Sequence, residues 1–281
     1  MSKVLVTGSS GYIGQHLCLY LCKLGYHVTG LDRQGHGTGC HEFIQQSILD
    51  TADIKGDYDA VVHLAALVQV GMSQKCMMEY YRNNVMGTMN ILERTNYDTF
   101  VFASTCQVNE PHVYGKTKLI GEHLVKDYCE TKAIPHTIFR FGNVAGSAGY
   151  RPTNFDGLMY NLMKAKDTGT FYLYGDDYDT RDGTTLRDYI HVMEVCYAIQ
   201  KAIEIPSRFM SAETYPAYEY LGHGVQYTVM ECVNAFKKAN NCDFEVVVKP
   251  RRVGDPDSTD LYEVSPYMME KRCTLEEMMK V

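Results

Sequence analysis

The opening run Val4-Leu5-Val6-Thr7-Gly8-Ser9-Ser10-Gly11-Tyr12-Ile13-Gly14 limits the fold more than any other part of the chain. It reads as a short apolar strand, a glycine turn and a helix start. The glycines permit a tight turn. They also let the backbone N–H groups of Tyr12, Ile13 and Gly14 approach a pyrophosphate at the helix N-terminus. The next strand ends Val28-Thr29-Gly30-Leu31-Asp32. A carboxylate there accepts hydrogen bonds from ribose hydroxyls, and its charge repels a 2′-phosphate. The pattern therefore favours NAD over NADP, although the guanidinium of Arg33 could hold a phosphate.

Strand-like and helix-like blocks alternate through the first half. Strands are expected at residues 4–6, 28–31, 59–64, 100–104 and 137–141, with helices at 12–24, 77–96 and 114–132. Gly25 is the stop signal of the first helix. Such alternation implies an α/β fold, a Rossmann-like doubly wound parallel sheet covered on both faces. After Arg140 the texture changes. Residues 142–156 are loop-rich, 171–174 read as a short strand and 189–202 as a helix. The last third is irregular, with one helix near 229–239 and another near the end. No repeat or linker separates the two regions. The chain divides into a dinucleotide-binding domain (residues 1–142 and 185–222) and a smaller α/β substrate-binding region (143–184 and 223–281).

A second motif carries acid–base chemistry. A strand ending Phe100-Val101-Phe102-Ala103-Ser104-Thr105 is followed by Tyr114-Gly115-Lys116-Thr117-Lys118. Tyr114 and Lys118, four apart on a helix, share a face. A free phenol has a pKa of ~10, and bringing it to ~7 requires ~4 kcal/mol of differential stabilisation. A nearby ammonium and a cationic nicotinamide supply it in a desolvated cleft. Thr105, at the carboxyl end of a parallel strand, is positioned to bond the same substrate hydroxyl.

Composition excludes several classes. A net charge of −7 lacks the clustered cations of a nucleic-acid binder. The ten cysteines show no secreted disulfide pattern and no Cys-x-x-Cys pair, so they read as free thiols in a reducing cytoplasm. His36, Cys40 and His41 lack a second ligand cluster, so no metal site is expected. Lys3 to Val6 already read as a strand rather than a leader, and no apolar run reaches membrane-spanning length.

The glycine turn, Asp32, Val61-Val-His-Leu-Ala-Ala66, Asn83-Asn84-Val-Met-Gly-Thr88 and Tyr114-x-x-x-Lys118 resemble the extended short-chain dehydrogenases. The run from Tyr174 through Gly183 and Arg187 to Val192 is similar, more narrowly, to the UDP-glucose 4-epimerase family. Arg140-Phe-Gly-Asn143, Tyr160-Asn161-Leu162 and Arg251-Arg252-Val-Gly-Asp255 continue the likeness over nearly the whole chain.

That resemblance implies inversion of carbon 4 of a UDP-hexose through a 4-keto sugar. Tyr114 would act as base, with Thr105 and Lys118, and NAD would stay bound. Asn84 and Lys118 would hold the nicotinamide end of NAD. Leu64, Ala65 and Ala66 would line the cofactor, and Ser47 and Ile48 would lie beside adenine, with serine where the family usually has aspartate. Val68 replaces a lysine common in some members. Asn143, Asn161, Leu162, Arg187, Arg252 and Asp255 would grip UDP. Tyr172 and Tyr174 either flank uracil or pack into the core. A homodimer through the helices after Met77 and Tyr114 is also implied.

Departures from the family are informative. Only residues 106–113 join Thr105 to Tyr114, much fewer than usual, yet nine extended steps span up to ~30 Å, so the two can converge. The segment beyond Asp255 is also compressed. A 4,6-dehydratase would place Asp-Glu after Thr105, where this chain has Cys106-Gln107. The alternatives are another nucleotide-sugar epimerase, decarboxylase or dehydratase of the same family, or a non-catalytic NAD-binding regulator.

Overall fold

The computed structural model describes residues 1–35, 37, 39–50, 54, 56–152, 154, 157–206, 218–252 and 255–281. They form two compact units. The first comprises Met1–Phe141 and Cys196–Glu219, the second Gly142–Val195 and Tyr220–Val281.

The first unit is built on a parallel sheet of β1 (Lys3–Thr7), β2 (His27–Asp32), β3 (Glu42–Gln45), β4 (Asp57–His63), β5 (Asn96–Thr105) and β6 (His136–Phe141). The spatial order is β6-β5-β4-β1-β2-β3, and a seventh strand beginning at Glu219 completes it beside β6. The five pairings from β3 to β6 are all parallel. This is the doubly wound arrangement the alternating blocks imply. Strand order reverses between β1 and β4, where Thr7 lies opposite His63. Ligands of open α/β sheets bind outside the carboxyl ends of strands at such a reversal.

Both faces of the sheet are buried. Leu5, Leu31, Val61, Phe100, Phe102 and Ile138 share one core cluster with Ile91, Leu92 and Val125. The alternate residues Val4, Val6, Val28, Ala60, Val62 and Phe139, which by the two-residue period point the other way, are completely buried as well. The helix α1 (Tyr12–Lys23) ends as read, with Gly25 at φ +88 just beyond.

The single helix expected at 77–96 is subdivided. Three segments precede and form it: α2 (Val70–Lys75), which the sequence did not reveal, α3 (Met77–Tyr80), and α4 (Gly87–Arg94). A π-helical stretch, Tyr81–Met86, joins the last two. Such wide turns are frequent at functional sites, and Asn84 lies within this one. The helix also stops sooner than expected, because Asn96 already starts β5. Helix α5 (Val113–Thr131) matches the expected 114–132 within a residue.

In the second unit, Phe171, Leu173, Leu162, Phe236, Phe244, Met278 and Met279 belong to one core. Thr170–Tyr174 pairs in parallel with Glu245–Lys249. A three-stranded sheet runs Gln226–Thr228, Leu186–His191, Asn143–Ala145. The helix expected at 189–202 is corrected here: Leu186–His191 is a strand, and the helix is Val192–Glu204. The switch occurs where Glu194 Oε2 accepts the His191 amide at 3.0 Å, a carboxylate in the first helical turn capping its start. Glu194 is itself buried and also accepts from His223 Nε2 at 2.9 Å and from the Cys273 amide at 3.0 Å, which fastens the C-terminal segment.

Among the described residues no helix is long and apolar enough to cross a membrane, and no group of three or more His, Cys, Asp or Glu side chains could hold a metal. His36, weighed above as a ligand, lies outside the described residues.

Candidate active site

The glycine turn sits between the ends of β1 and β2. Gly8 adopts φ +70, a left-handed conformation, and its amide donates to Leu31 O at 2.8 Å. A Cβ at Gly14 would lie 2.1 Å from Gly8 O, so only glycine lets α1 start this close to the turn. Gly11 precedes α1 and no side chain caps that helix. The first-turn N–H groups of a helix have no acceptor within it and, with the dipole, favour an anion. Asp32 accepts the Ser10 amide at 3.1 Å through Oδ2 and the Gln34 amide at 3.0 Å through Oδ1. Each carboxylate oxygen has a second lone pair for a ribose hydroxyl.

The hydroxyls of Ser9 and Ser10 are buried and have no hydrogen-bond partner among the described residues. Buried polar groups are nearly always satisfied, so these two suit a polar ligand lying on the turn. The donor set fits a dinucleotide. Leu64 and Ala65 bracket the same point: their amides donate to Thr7 O and Thr7 Oγ1. A Cβ at Gly8 would be 2.8 Å from Ala65 N. Ser47 Oγ accepts the Leu49 amide. Ile48 is in the core, so only its main chain remains for a ligand, and its carbonyl accepts from Asn90.

A buried polar chain backs this seat, and the motifs assign no role to its centre, His63. Thr7 Oγ1 and His63 Nδ1 are 2.7 Å apart, His63 Nε2 and Thr88 Oγ1 are 3.0 Å apart, and Thr88 Oγ1 donates to Asn84 O at 2.6 Å. Since Thr88 donates to Asn84, it must accept from His63, which fixes the proton on Nε2. Burial, with the Lys118 charge nearby, holds His63 neutral, its pKa pushed down to about 3. Asn84 then closes the structure: Oδ1 accepts from the Leu67 amide and Asn83, and Nδ2 donates to Leu67 O and Thr117 Oγ1. Two donors and two lone pairs are all used. Its side chain therefore shapes the Leu67 loop and has none left for nicotinamide.

The residues expected to carry acid–base chemistry lie around the start of α5. The short connection forms a 3₁₀ turn, Cys106–Asn109, with Val108 buried. Thr105 Oγ1 accepts the Gln107 amide at 3.2 Å. Burial raises the Tyr114 pKa, and the Thr105 contact opposes that rise. His112, another residue the motifs did not flag, caps α5: its Nδ1 accepts the Gly115 amide at 2.9 Å. Its ring also stacks near Tyr114, with centroids 6.0 Å apart at 16°.

Lys118 is buried one turn along. Its Nζ donates to Ala103 O at 2.6 Å and lies 4.8 Å from the Phe102 ring centroid. The sequence expectation placed its ammonium on the phenol; here it turns to the β5 carbonyl instead. Burial depresses its pKa to about 7, with Glu122, four residues on, acting against the shift. Glu122 also accepts from Ser104 and forms a bidentate pair with Arg140 at 2.8 and 2.7 Å.

The residues expected to grip UDP all lie in the second unit. Arg187 Nη2 donates to Asp255 Oδ1 at 2.7 Å and to Pro256 O at 3.0 Å. The Arg252 guanidinium lies 4.3 Å from the Tyr174 ring centroid, and Lys249 Nζ lies 5.0 Å from that of Tyr172. Tyr172 and Tyr174 are 49% and 39% exposed while Phe171 and Leu173 between and beside them are buried, so the core-packing alternative is ruled out. Asn143 Nδ2 donates to Asp188 O at 3.4 Å. Asn161 and Leu162 are less suitably placed than expected. The helix Leu158–Thr168 puts both in its second turn, where amides bond within the helix. Asn161 Nδ2 donates to Gly157 O, and the Leu162 side chain is core.

A sequence profile of the NAD dependent epimerase/dehydratase family matches residues 4–216. The chain belongs to that family. Among members of the family, the UDP-glucose 4-epimerase of Rhizobium meliloti (strain 1021) is 32% identical over 291 residues, covering 90% of this chain and 87% of that one. In structure, the chain is similar to a UDP-glucose 4-epimerase from Brucella ovis in complex with NAD. The TM-score is 0.84 at 28% identity, covering 99% of this chain and 96% of that one. It is also similar to the Bifidobacterium longum enzyme of that name in complex with NAD+ and UDP, with a TM-score of 0.82 at 25% identity and coverages of 99% and 96%.

Proposed function

We propose that the chain is an NAD-dependent UDP-hexose 4-epimerase that interconverts UDP-galactose and UDP-glucose. The observation that carries this reading is the placing of Thr105 at the end of β5 and Tyr114 in the first turn of α5, with Lys118 buried one helical turn on. The kinship with UDP-glucose 4-epimerases across 90% of the chain supports the substrate class.

The first unit binds NAD through Gly8, Gly11, Tyr12, Ile13, Gly14, Asp32, Ser47, Ile48 and the Leu64–Ala66 segment, and carries the acid–base residues. NAD, when bound, supplies reversible oxidation at carbon 4 and a positive charge that favours the phenolate. Tyr114 accepts the proton of the hydroxyl on carbon 4 and later returns it. Thr105 holds the phenol oxygen and donates to its ionised form, which opposes the effect of burial. Lys118 supplies a donor and a charge that can be modulated near neutrality.

The second unit holds the nucleotide. Arg187 and Arg252 offer planar donor forks to a diphosphate, and exposed Tyr172 and Tyr174 offer ring faces to uracil. Asp255 orients Arg187. A strong grip on UDP with few groups committed to the hexose leaves the sugar free to present either face.

The protein works as a cytoplasmic homodimer in this reading. Met77, Met78, Met86 and Met89 on the α3–α4 stretch and Ile120 on α5 are exposed apolar side chains, a surface suited to a second copy. All ten cysteines are free, as a reducing compartment requires. Incubating purified protein with UDP-galactose and following UDP-glucose by NMR tests the activity. Absence of UDP-glucose, with NAD added and UDP-glucuronic acid and UDP-N-acetylglucosamine tested in parallel, overturns the substrate assignment.

A further inference from the structure

The first unit carries a polar side chain to which neither the motifs nor the proposed reaction gives a role. Gln46 directly follows β3, in the run Glu42-Phe43-Ile44-Gln45-Gln46-Ser47-Ile48. β3 lies parallel to β2, with Gln45 opposite Asp32. One step on, the Gln46 amide donates to Asp32 O at 2.9 Å. Gln46 therefore stands at the carboxyl end of β3, beside Asp32 at the carboxyl end of β2. Its Oε1 is buried and has no hydrogen-bond partner among the described residues. A buried acceptor without a donor is rare, because its lost hydration is not made good. This oxygen suits a donor that a ligand brings.

The polar groups around it are committed. Ser47 Oγ accepts the Leu49 amide at 3.2 Å, and Ser47 O accepts the Asp50 amide at 2.9 Å. Asn90 of α4 donates through Nδ2 to Ile48 O at 3.1 Å and to Leu49 O at 3.2 Å. Ile48 belongs to the core of the unit, and Ile44 packs against it. These contacts fix the segment on both sides of Gln46. The carboxamide oxygen is the acceptor they leave over.

The order of the strands decides which part of a dinucleotide comes near that oxygen. β1, β2 and β3 are successive neighbours in the sheet. The glycine turn after β1 takes a pyrophosphate, and Asp32 at the end of β2 takes hydroxyls of the adjoining ribose. Phosphate and base leave a ribose on opposite sides, from C5′ and from C1′. A ribose held at β2 with its phosphate toward β1 therefore directs its base toward the end of β3. We infer that Gln46 reads the adenine of NAD, with Oε1 accepting from the exocyclic amine and Nε2 donating to the ring nitrogen N7 beside it. A carboxamide matches adenine at these two points. The inference rests on the NAD reading given above. It makes Gln46 a specificity-determining residue for the base. Where a carbonyl replaces the exocyclic amine, Oε1 meets an acceptor and the two-point match is lost.

The test reads binding rather than turnover. Dinucleotide-free, full-length protein is titrated by calorimetry with NAD and with nicotinamide hypoxanthine dinucleotide, which carries a carbonyl in place of the adenine amine. The parent should bind NAD at least ~5-fold more tightly than the hypoxanthine analogue, the low end for a two-point contact to a base. Gln46→Met keeps the length of the side chain and removes both amide atoms. It should bind NAD at least ~5-fold more weakly than the parent and no longer distinguish the two dinucleotides. Equal affinity of the parent for NAD and the analogue overturns the inference, and this arm does not depend on any variant. A preference for NAD kept in Gln46→Met overturns it as well, since the base is then read elsewhere. Failure of the parent to bind either dinucleotide instead removes the cofactor reading, and the role of Gln46 falls with it.

Discussion

Lys118 Nζ donates a 2.6 Å hydrogen bond to the carbonyl of Ala103, joining the middle of α5 to the last turn of β5 through a side chain only 3% exposed. Desolvation there outweighs the raising influence of Glu122, and the pKa falls to about 7.

The stability consequence follows from linkage. The unfolded lysine titrates at ~10.4, so between about pH 7 and that value the unfolded chain binds more protons than the folded one. Stability then rises with pH across this window. Lys118→Met removes the burden. In dinucleotide-free protein its melting temperature should exceed that of the parent at pH 7.5, by on the order of 2–4 °C for each kcal/mol gained. The gap should shrink toward pH 10. Differential scanning calorimetry at the two pH values checks this. A variant less stable than the parent at pH 7.5 would show that the Ala103 bond outweighs the desolvation.

His112 makes the start of α5 sensitive to acid. The cap requires an unprotonated Nδ1, and burial lowers the pKa, with Glu110 opposing and Lys116 assisting. A depressed folded pKa means that the contribution is present above the unfolded value of ~6.5 and is lost as pH falls through the folded value. His112→Asn keeps a capping acceptor and should flatten this acid-side loss in a urea-melt series. His112→Ala should cost about 0.5–2 kcal/mol at pH 7.5. A parallel pH profile for the parent and His112→Asn would contradict the role.

Parts of the first unit were legible because β1 and the second half of β4 are apolar runs and α1 is closed by Gly25. The boundaries of α1 and α5 fall within a residue of expectation. Strand Leu186–His191 escaped notice because two of its charged residues, Arg187 and Asp188, are buried by partners distant in sequence. The alternation that marks a strand is therefore absent. Helix Leu158–Thr168 lay in a stretch with no clear period, and the pairing of Thr170–Tyr174 with Glu245–Lys249 is non-local. The places of Asp32 and Thr105 at strand ends and of Tyr114 at a helix start were readable from the pattern. His63 and His112 were not, since their roles depend on hydrogen bonds to Thr88 and Gly115 that spacing does not encode.

The nucleotide clamp can be tested by calorimetry with UDP. Arg187→Ala and Arg252→Ala should each weaken UDP by about 2–3 kcal/mol, the scale of lost charge-assisted hydrogen bonds. Arg187 is already held by Asp255, so Asp255→Asn should weaken UDP less than Arg187→Ala. Unchanged affinity in both arginine variants would place the diphosphate elsewhere.

Asn84 and His63 should act through position. His63→Ala leaves Thr7 and Thr88 without their shared buried partner. A loss of ~1–3 kcal/mol in unfolding free energy is expected for each polar group left unsatisfied, measured by urea denaturation. An unchanged midpoint and slope would mean that the chain is not structural.

The most direct measurement is the initial rate at which UDP-glucose forms from UDP-galactose, followed by NMR for the parent and Tyr114→Phe side by side, each first shown by titration to bind NAD. The account expects conversion to an equilibrium mixture by the parent, and a rate at least ~100-fold lower for Tyr114→Phe with its fold and NAD affinity kept. No conversion by the NAD-loaded parent, or near-normal turnover by Tyr114→Phe, would contradict it.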